Sequence, residues 1–182
     1  VVALRRLASE QVRQFLADAS DDIATEAALA IHDDFSITSA LPFLAECLSE
    51  SKTRPEAFVR RSINANFRLG NSECAERVAE FASNDEAPVS LRLIALNTLR
   101  DWKTPPPLDK VTGRYRHFDV DQRTFPARKL AVLISDVAVD SNDDLRAAAI
   151  FAAARLNISL QPDALAKTVL NGGSDVNLRL AA

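Results

Sequence analysis

Leu91, Ile94, Ala95, Thr98 and Leu99 follow the spacing i, i+3, i+4, i+7, i+8, which lays one stripe of apolar and small side chains down one side of a helix. Leu145, Ala148, Ala149, Ala152, Ala153 and Leu156 repeat that stripe with smaller residues, which lets helices approach closely. Four stretches carry the pattern with Arg near the start: Phe58 to Phe67, Ser90 to Leu99, Asp144 to Leu156 and Asp175 to Ala182. A weaker version runs from Asp21 to Ile31, where Thr25 and Glu26 stand in the region that carries Arg elsewhere. Partner helices are predicted at Ser9 to Leu16, Ala40 to Leu48, Ser72 to Ala82, Pro126 to Val137 and Pro162 to Leu170.

Turns bearing a carboxylate, often with Pro, precede the Arg-led helices: Arg54-Pro55-Glu56, Asp85-Glu86-Ala87-Pro88, Asn142-Asp143-Asp144 and Ser174-Asp175. Acidic residues suit the exposed N–H groups and the dipole at a helix start. Asn71, Asn157 and the Gly172-Gly173 pair mark connections.

Aligned on the early Arg, the units start at Arg60, Arg92, Arg146 and Arg179. The steps are 32 residues, 54 residues and 33 residues. A period in the thirties with two amphipathic helices is the signature of an α-solenoid. The expected fold is therefore all-α: a single repeat domain over 1–182, with about five helical hairpins and one long insertion at 102–125. For the recurrent arginines two readings compete. They form a structural ladder between repeats, pairing with carboxylates of adjoining turns, or they form a stripe that binds an anion.

The helical period disappears from Trp102 to Phe125. Pro105, Pro106 and Pro107 cannot continue a helix and favour an extended segment, and Val111-Thr112-Gly113 should turn. Loops this long inside a compact array are usually functional or disordered. Trp102, Tyr115, Phe118 and Phe125 argue for order. Lys110, Arg114 and Arg116 flank Tyr115, so the loop either binds a phosphate or an acidic partner surface, or is pinned by Arg114 and Arg116 to carboxylates such as Asp109 or Asp119. The candidate interaction loop comprises Trp102, Asp109, Lys110, Arg114, Tyr115 and Arg116.

Composition adds exclusions. Ala and Leu dominate, with only 4 Gly and no β-branched alternation, so packed helices are expected rather than sheets. A net charge of −3 disfavours general nucleic-acid binding, which draws its affinity from many Lys and Arg contacts to phosphate. No run approaches the roughly 18 apolar residues of a membrane span. The chain starts at Val1 within a helical pattern and stops partway through another, which reads as a piece of a longer protein.

Candidate chemistry is sparse. Cys47 and Cys74 lie on apolar helical faces, where thiols act as small hydrophobes, and their spacing leaves open whether they pair. Neither belongs to a CxxC or CxxCH motif, so no metal or haem site is expected. His117 has no second ligand at suitable spacing. His32, beside Asp33 and Asp34 at a helix end, reads as a capping side chain rather than a catalytic base. Asn64 and Asn66 occupy helix-interior positions where they lower helix propensity. They are expected to bond to the inserted loop or a neighbouring helix.

Two segments, Arg60-Arg61-Ser62-Ile63-Asn64-Ala65-Asn66-Phe67-Arg68-Leu69-Gly70 and the run from Asp101 to Arg116, resemble the HEAT-repeat region of large bacterial PVC-type haem-binding proteins. In that family the repeats follow a β-propeller similar to glucose/sorbosone dehydrogenases and precede a c-type cytochrome module with a CxxCH motif. The resemblance implies HEAT-like hairpins of the armadillo-type superhelix, in the connecting part of an exported, periplasmic or membrane-associated dehydrogenase. The propeller and the CxxCH motif are not in this sequence, so no catalytic or haem-ligating residue carries over. The expected function is a non-catalytic scaffold or interaction domain without its own cofactor, its partners being neighbouring domains of the parent chain or another protein. The alternative is a solenoid whose loop 110–118 supplies substrate or cofactor contacts to a neighbouring catalytic domain.

Overall fold

The computed structural model describes residues 1–50, 53–160 and Pro162. The expected helix at Pro162 to Leu170 (apart from Pro162), Arg179 and the stretch Asp175 to Ala182 lie outside the described residues. Within them the protein is all-helical: α1 (Val2–Arg6), α2 (Asp21–Asp33), α3 (Leu41–Glu46), α4 (Glu56–Leu69), α5 (Ser72–Ser83), α6 (Val89–Arg100), α7 (Ala127–Val137) and α8 (Asp143–Leu156). No strand is present among the described residues, only an antiparallel bridge between Leu108 and Tyr115.

The chain forms two compact units, Val1–Leu69 with Pro107–Phe118, and Gly70–Pro106 with Asp119–Ala182. In the first, α4 packs against α2 and α3. The stripe of α2 is Ala24, Ala27, Ala28 and Ile31, all buried, and it meets Val12, Leu16, Leu41, Leu44, Phe58 and Ala65. Alanines at this spacing leave room for close helix approach, and large side chains such as Ile31, Leu44, Phe58 and Phe67 are fully buried beside them. The expected helix Ser9 to Leu16 is a short 3₁₀ segment, Glu10–Phe15, started by Ser9, whose hydroxyl accepts from the Gln11 amide at 3.4 Å. Ala40 to Leu48 is likewise broken into α3 between two 3₁₀ turns.

In the second unit α5 packs on α6 and α7, and α8 on α6 and α7. The buried positions of α8 are Leu145, Arg146, Ala149, Ile150, Ala152, Ala153 and Leu156, a wider face than the predicted stripe, of which Ala148 is only half-buried. Asn142 caps this helix by accepting from the Leu145 amide at 3.1 Å, and Asn157 closes it in the left-handed conformation, φ 58°. Asn142→Ala should therefore lower the stability of this unit by about 1 kcal/mol. An unchanged chemical-denaturation midpoint would refute that role.

Two Arg-led helices share a tie at their start. Arg92 of α6 donates through Nε to the Ala82 carbonyl in the last turn of α5 at 2.8 Å, and through Nη2 to Asp140 at 2.8 Å. Arg146 of α8 donates to the carbonyls of Asp140 at 2.9 Å and Ser141 at 3.2 Å, just past the end of α7, and pairs with Asp143. Arg92 thus satisfies a carbonyl in the last turn of α5, and Arg146 two carbonyls of the turn between α7 and α8. Arg60 behaves differently: it is exposed and pairs with Glu56 one turn back on its own helix, at 3.3 Å.

Candidate functional site

The 102–125 insertion is split between the units. Its ends belong to the second, where Trp102 is fully buried and its indole N–H donates to the Thr124 carbonyl at 3.0 Å. Arg123 lies 4.8 Å over the Trp102 ring and donates through Nε to the Trp102 carbonyl. The Thr124 amide donates to the Gly70 carbonyl at 3.0 Å. Gly70 has φ +69°, which favours glycine, and a Cβ there would come within 2.8 Å of an Arg123 nitrogen, so a side chain at this position would have to displace the guanidinium.

The middle, 107–118, is a small hairpin belonging to the first unit. The Asp109 amide donates to Arg114 O at 2.8 Å and the Arg116 amide to Pro107 O at 2.8 Å, which makes Leu108 and Tyr115 a directly opposed pair between the two bonded rungs. Asp109 builds the turn: Oδ1 accepts from the Val111 amide at 3.0 Å, the Thr112 amide at 2.9 Å and the Thr112 hydroxyl at 3.0 Å. Its other oxygen faces α4, where Arg68 donates to Oδ2 through Nε at 3.0 Å and Nη2 at 2.8 Å, and Arg116 stands 3.5 Å away. Burial would raise the Asp109 carboxyl, but the Thr112 amide and the charge and hydrogen bonds of Arg68 outweigh it and hold it at about 2.

Arg68 also donates through Nη1 to the His32 carbonyl at 2.6 Å, joining the hairpin to the end of α2. The His32 ring has no exposed surface; Nδ1 lies 2.7 Å from Asp33 Oδ1 and Nε2 lies 2.8 Å from Asn64 Oδ1 of α4. Arg61 grips Asp33 with two bonds, at 3.1 Å and 2.8 Å. Burial works to raise the Asp33 carboxyl, yet the bonds from His32 and Arg61 take it well below the usual range. For His32, burial pushes the pKa down and overrides the Asp33 bond that would raise it. His32 is thus no cap, contrary to the expectation from its position beside two carboxylates. Its side chain is an interior link between α2 and α4. The His–Asp pair also offers no general base, because Nε2 is covered by Asn64 and inaccessible to a substrate proton.

Asn66 bonds elsewhere, donating to the Ala45 carbonyl of α3 at 2.9 Å. Both asparagines therefore bond to neighbouring helices.

Of the six loop residues singled out from the sequence, Trp102 and Asp109 are interior, so neither side chain faces a partner in this conformation. Lys110 sits 5.2 Å over Phe67, and Arg116 sits 4.3 Å over Phe35, so the apolar stems and charges of both are taken up by the first unit itself. Arg114 is exposed and 3.5 Å from the Asp33 carbonyl, too long for a firm bond. Tyr115 is 70% exposed and Leu108 53%, which leaves the outward rung of the hairpin open to contact. A cleft of about 370 Å³ beside the hairpin is lined by Glu56, Ala57, Arg60, Arg61 and Val111. Its arginines are already engaged with Glu56, Asp33 and the Ala57 carbonyl.

Sequence reasoning passed over Arg61, Arg68 and the core role of His32. A signal was present: Arg61, Asn64 and Arg68 fall at i, i+3, i+7 on a helix whose neighbouring positions are buried, a polar stripe that demands internal partners.

Cys47 and Cys74 are free thiols, the first partly exposed and the second buried, and burial raises the pKa of both. Among the described residues no cluster of three or more His, Cys, Asp or Glu is arranged to hold a metal ion, and no helix is long and apolar enough to cross a membrane. The class defined so far is an all-helical protein with an ordered hairpin insertion. Compared with protein-family models, with curated proteins and with solved structures, the chain gives no match.

Proposed function

We propose that this chain is a non-catalytic scaffold or protein-interaction domain built from HEAT-like helical hairpins. In this reading it belongs to a multidomain protein of the exported dehydrogenase and c-type cytochrome kind. The observation that carries the scaffold reading is the fate of the polar side chains. Asp109, Arg68, Arg116, Asp33, Arg61 and His32 are spent on one another, while the hairpin's outward rung offers Leu108 and Tyr115 as contact surface. The HEAT-like reading is supported by Arg92 and Arg146, each near the start of a helix, the first tied to the last turn of α5 and the second to the turn after α7. Neighbouring domains of the same chain, or a separate protein, are the partners this surface fits.

Intrinsic dehydrogenase turnover or stoichiometric haem in the purified 182-residue chain would overturn the proposal. The expected result is neither. Arg114 and Tyr115, exposed at the hairpin, also favour a second reading in which this tip reaches a neighbouring active site. Arg114→Ala with Tyr115→Ala in the full-length protein separates the two: kinetics unchanged with folding intact supports the scaffold, and a fall in kcat/KM supports the second reading.

A further inference from the structure

The hairpin 107–118 is a two-stranded ribbon, and such a ribbon has two edges with unpaired backbone groups. The rungs at the Asp109 and Arg116 amides join the strands on their inner side, so the backbone N–H and carbonyl of Tyr115 face away from Leu108. Among the described residues these two groups carry no hydrogen bond, and the same holds for those of His117. Tyr115 and His117 are exposed while Arg116 and Phe118 are half-buried, the alternation of an extended strand. The opposite edge is poorer, because the outward position next to Leu108 is Pro106, which has no N–H. We propose that the Tyr115–His117 edge takes up an extended segment of a partner protein as a third strand, with acidic and apolar residues alternating along that segment. This capture rests on the scaffold reading and gives its contact surface a mode of recognition.

Strand addition sorts the occupant's residues by face. A residue paired directly with Tyr115 bonds to its N–H and carbonyl and lays its side chain on the outward face, beside a Tyr115 that is 70% exposed. Apolar residues suit that position. The residues between them fall on the face that carries Arg114 and Arg116, where carboxylates are favoured.

The charge of the hairpin supports an acidic occupant. Lys110, Arg114 and Arg116 stand against a single carboxylate, Asp109, which is buried and bonded to Arg68. Arg114 is exposed, and Asp34, which lies within reach of its charge, is already bonded to Ser36 and 3.8 Å from Arg5. A second copy of this chain is the poorer occupant. Pairing two such hairpins edge to edge would bring two sets of these cations together.

The probe is an end-capped octapeptide of alternating Glu and Val, titrated into the intact, isotope-labelled chain and followed by amide NMR. Expected are shifts of the Tyr115 and His117 amides and, at saturation, about tenfold or greater protection of both from exchange. Replacing every Glu of the peptide by Lys should abolish binding. Arg114→Glu, a change at an exposed side chain, should weaken binding about tenfold or more.

N-methylation separates strand addition from plain side-chain contact. With Val opposite Tyr115, the Val amides face the hairpin and the Glu amides face away. Methylating every Val nitrogen should therefore abolish binding, and methylating every Glu nitrogen should preserve it. Tyr115 and His117 amides that stay unmoved at about 1 mM peptide overturn the proposal. So does equal binding of the Lys peptide, or binding of a single-stranded oligothymidylate in place of the Glu peptide. Equal binding of the two methylated peptides overturns strand addition but leaves Leu108 and Tyr115 as a side-chain contact surface, and the scaffold reading with it. Turnover or haem in the purified chain would instead remove the scaffold reading, and this proposal with it.

Discussion

Asp109→Ala should unfasten the hairpin 107–118 and cost the first unit roughly 3–5 kcal/mol, the loss typical when one partner of a buried ion pair is removed. The carboxylate side chain has no exposed surface and Arg68 only 5%, so its deletion leaves a guanidinium without its counter-charge in the interior. The same deletion strips the Val111 and Thr112 amides and the Thr112 hydroxyl of their acceptor, so the turn loses its internal bracing as well. Chemical denaturation followed by circular dichroism measures the stability, and exchange at Val111 and Thr112 measures the hairpin. A cost under about 1 kcal/mol with the hairpin amides still protected would show that the pair contributes no more than a surface one.

Replacing both partners, Arg68→Leu with Asp109→Leu, should cost less than the two single changes added together, because no charge is then stranded. The acid dependence has a definite sign. Asp109 is held at about 2 in the folded protein against an ordinary 3.8, so its contribution is fully present above pH 3.8 and is lost as pH falls towards 2.

How much of this was legible in the sequence depends on the range of the interaction. The helices from Asp21, Glu56, Ser72, Val89, Ala127 and Asp143 are written in local spacing, and the structure places them within a few residues of the stripes that announce them. Asn71 and Asn142 act as caps through bonds three residues long, and such short signals survive in one dimension. Ser9 to Leu16 was readable as amphipathic, but a short apolar pattern does not tell a 3₁₀ segment from an α-helix. The anchor was illegible for a different reason. Arg68 meets Asp109 across 41 residues and His32 meets Asn64 across 32, and nothing local in either member names the other. Asn64 and Asn66, polar residues in a buried helix, did announce that partners must exist. Only the fold says which.

Trp102→Ala should be the most damaging change in the second unit, at roughly 3–5 kcal/mol, because a fully buried indole leaves a cavity that its neighbours fill only in part. The cost has three sources that smaller variants separate. The ring volume is the largest. Trp102→Phe keeps an aromatic ring but loses part of its volume and the indole N–H, which leaves the Thr124 carbonyl without that donor and should cost about 1–2 kcal/mol. The third is Arg123, whose guanidinium rests over the ring and whose Nε is spent on the Trp102 carbonyl. Burial brings Arg123 down to about 10, so a guanidinium robbed of its aromatic cover must either move to solvent or carry more of that cost. Moving it would free the space above Gly70 that its nitrogen fills, and would loosen the Thr124 to Gly70 bond that ties the end of the insertion to the start of α5. The chain has a single Trp, so tryptophan fluorescence is lost in both variants and thermal unfolding by circular dichroism is the suitable readout. Expected is a clear order, with Trp102→Phe between wild type and Trp102→Ala. If Phe proves as costly as Ala, the packing of a six-membered ring does not hold this end of the insertion and the ordering is refuted.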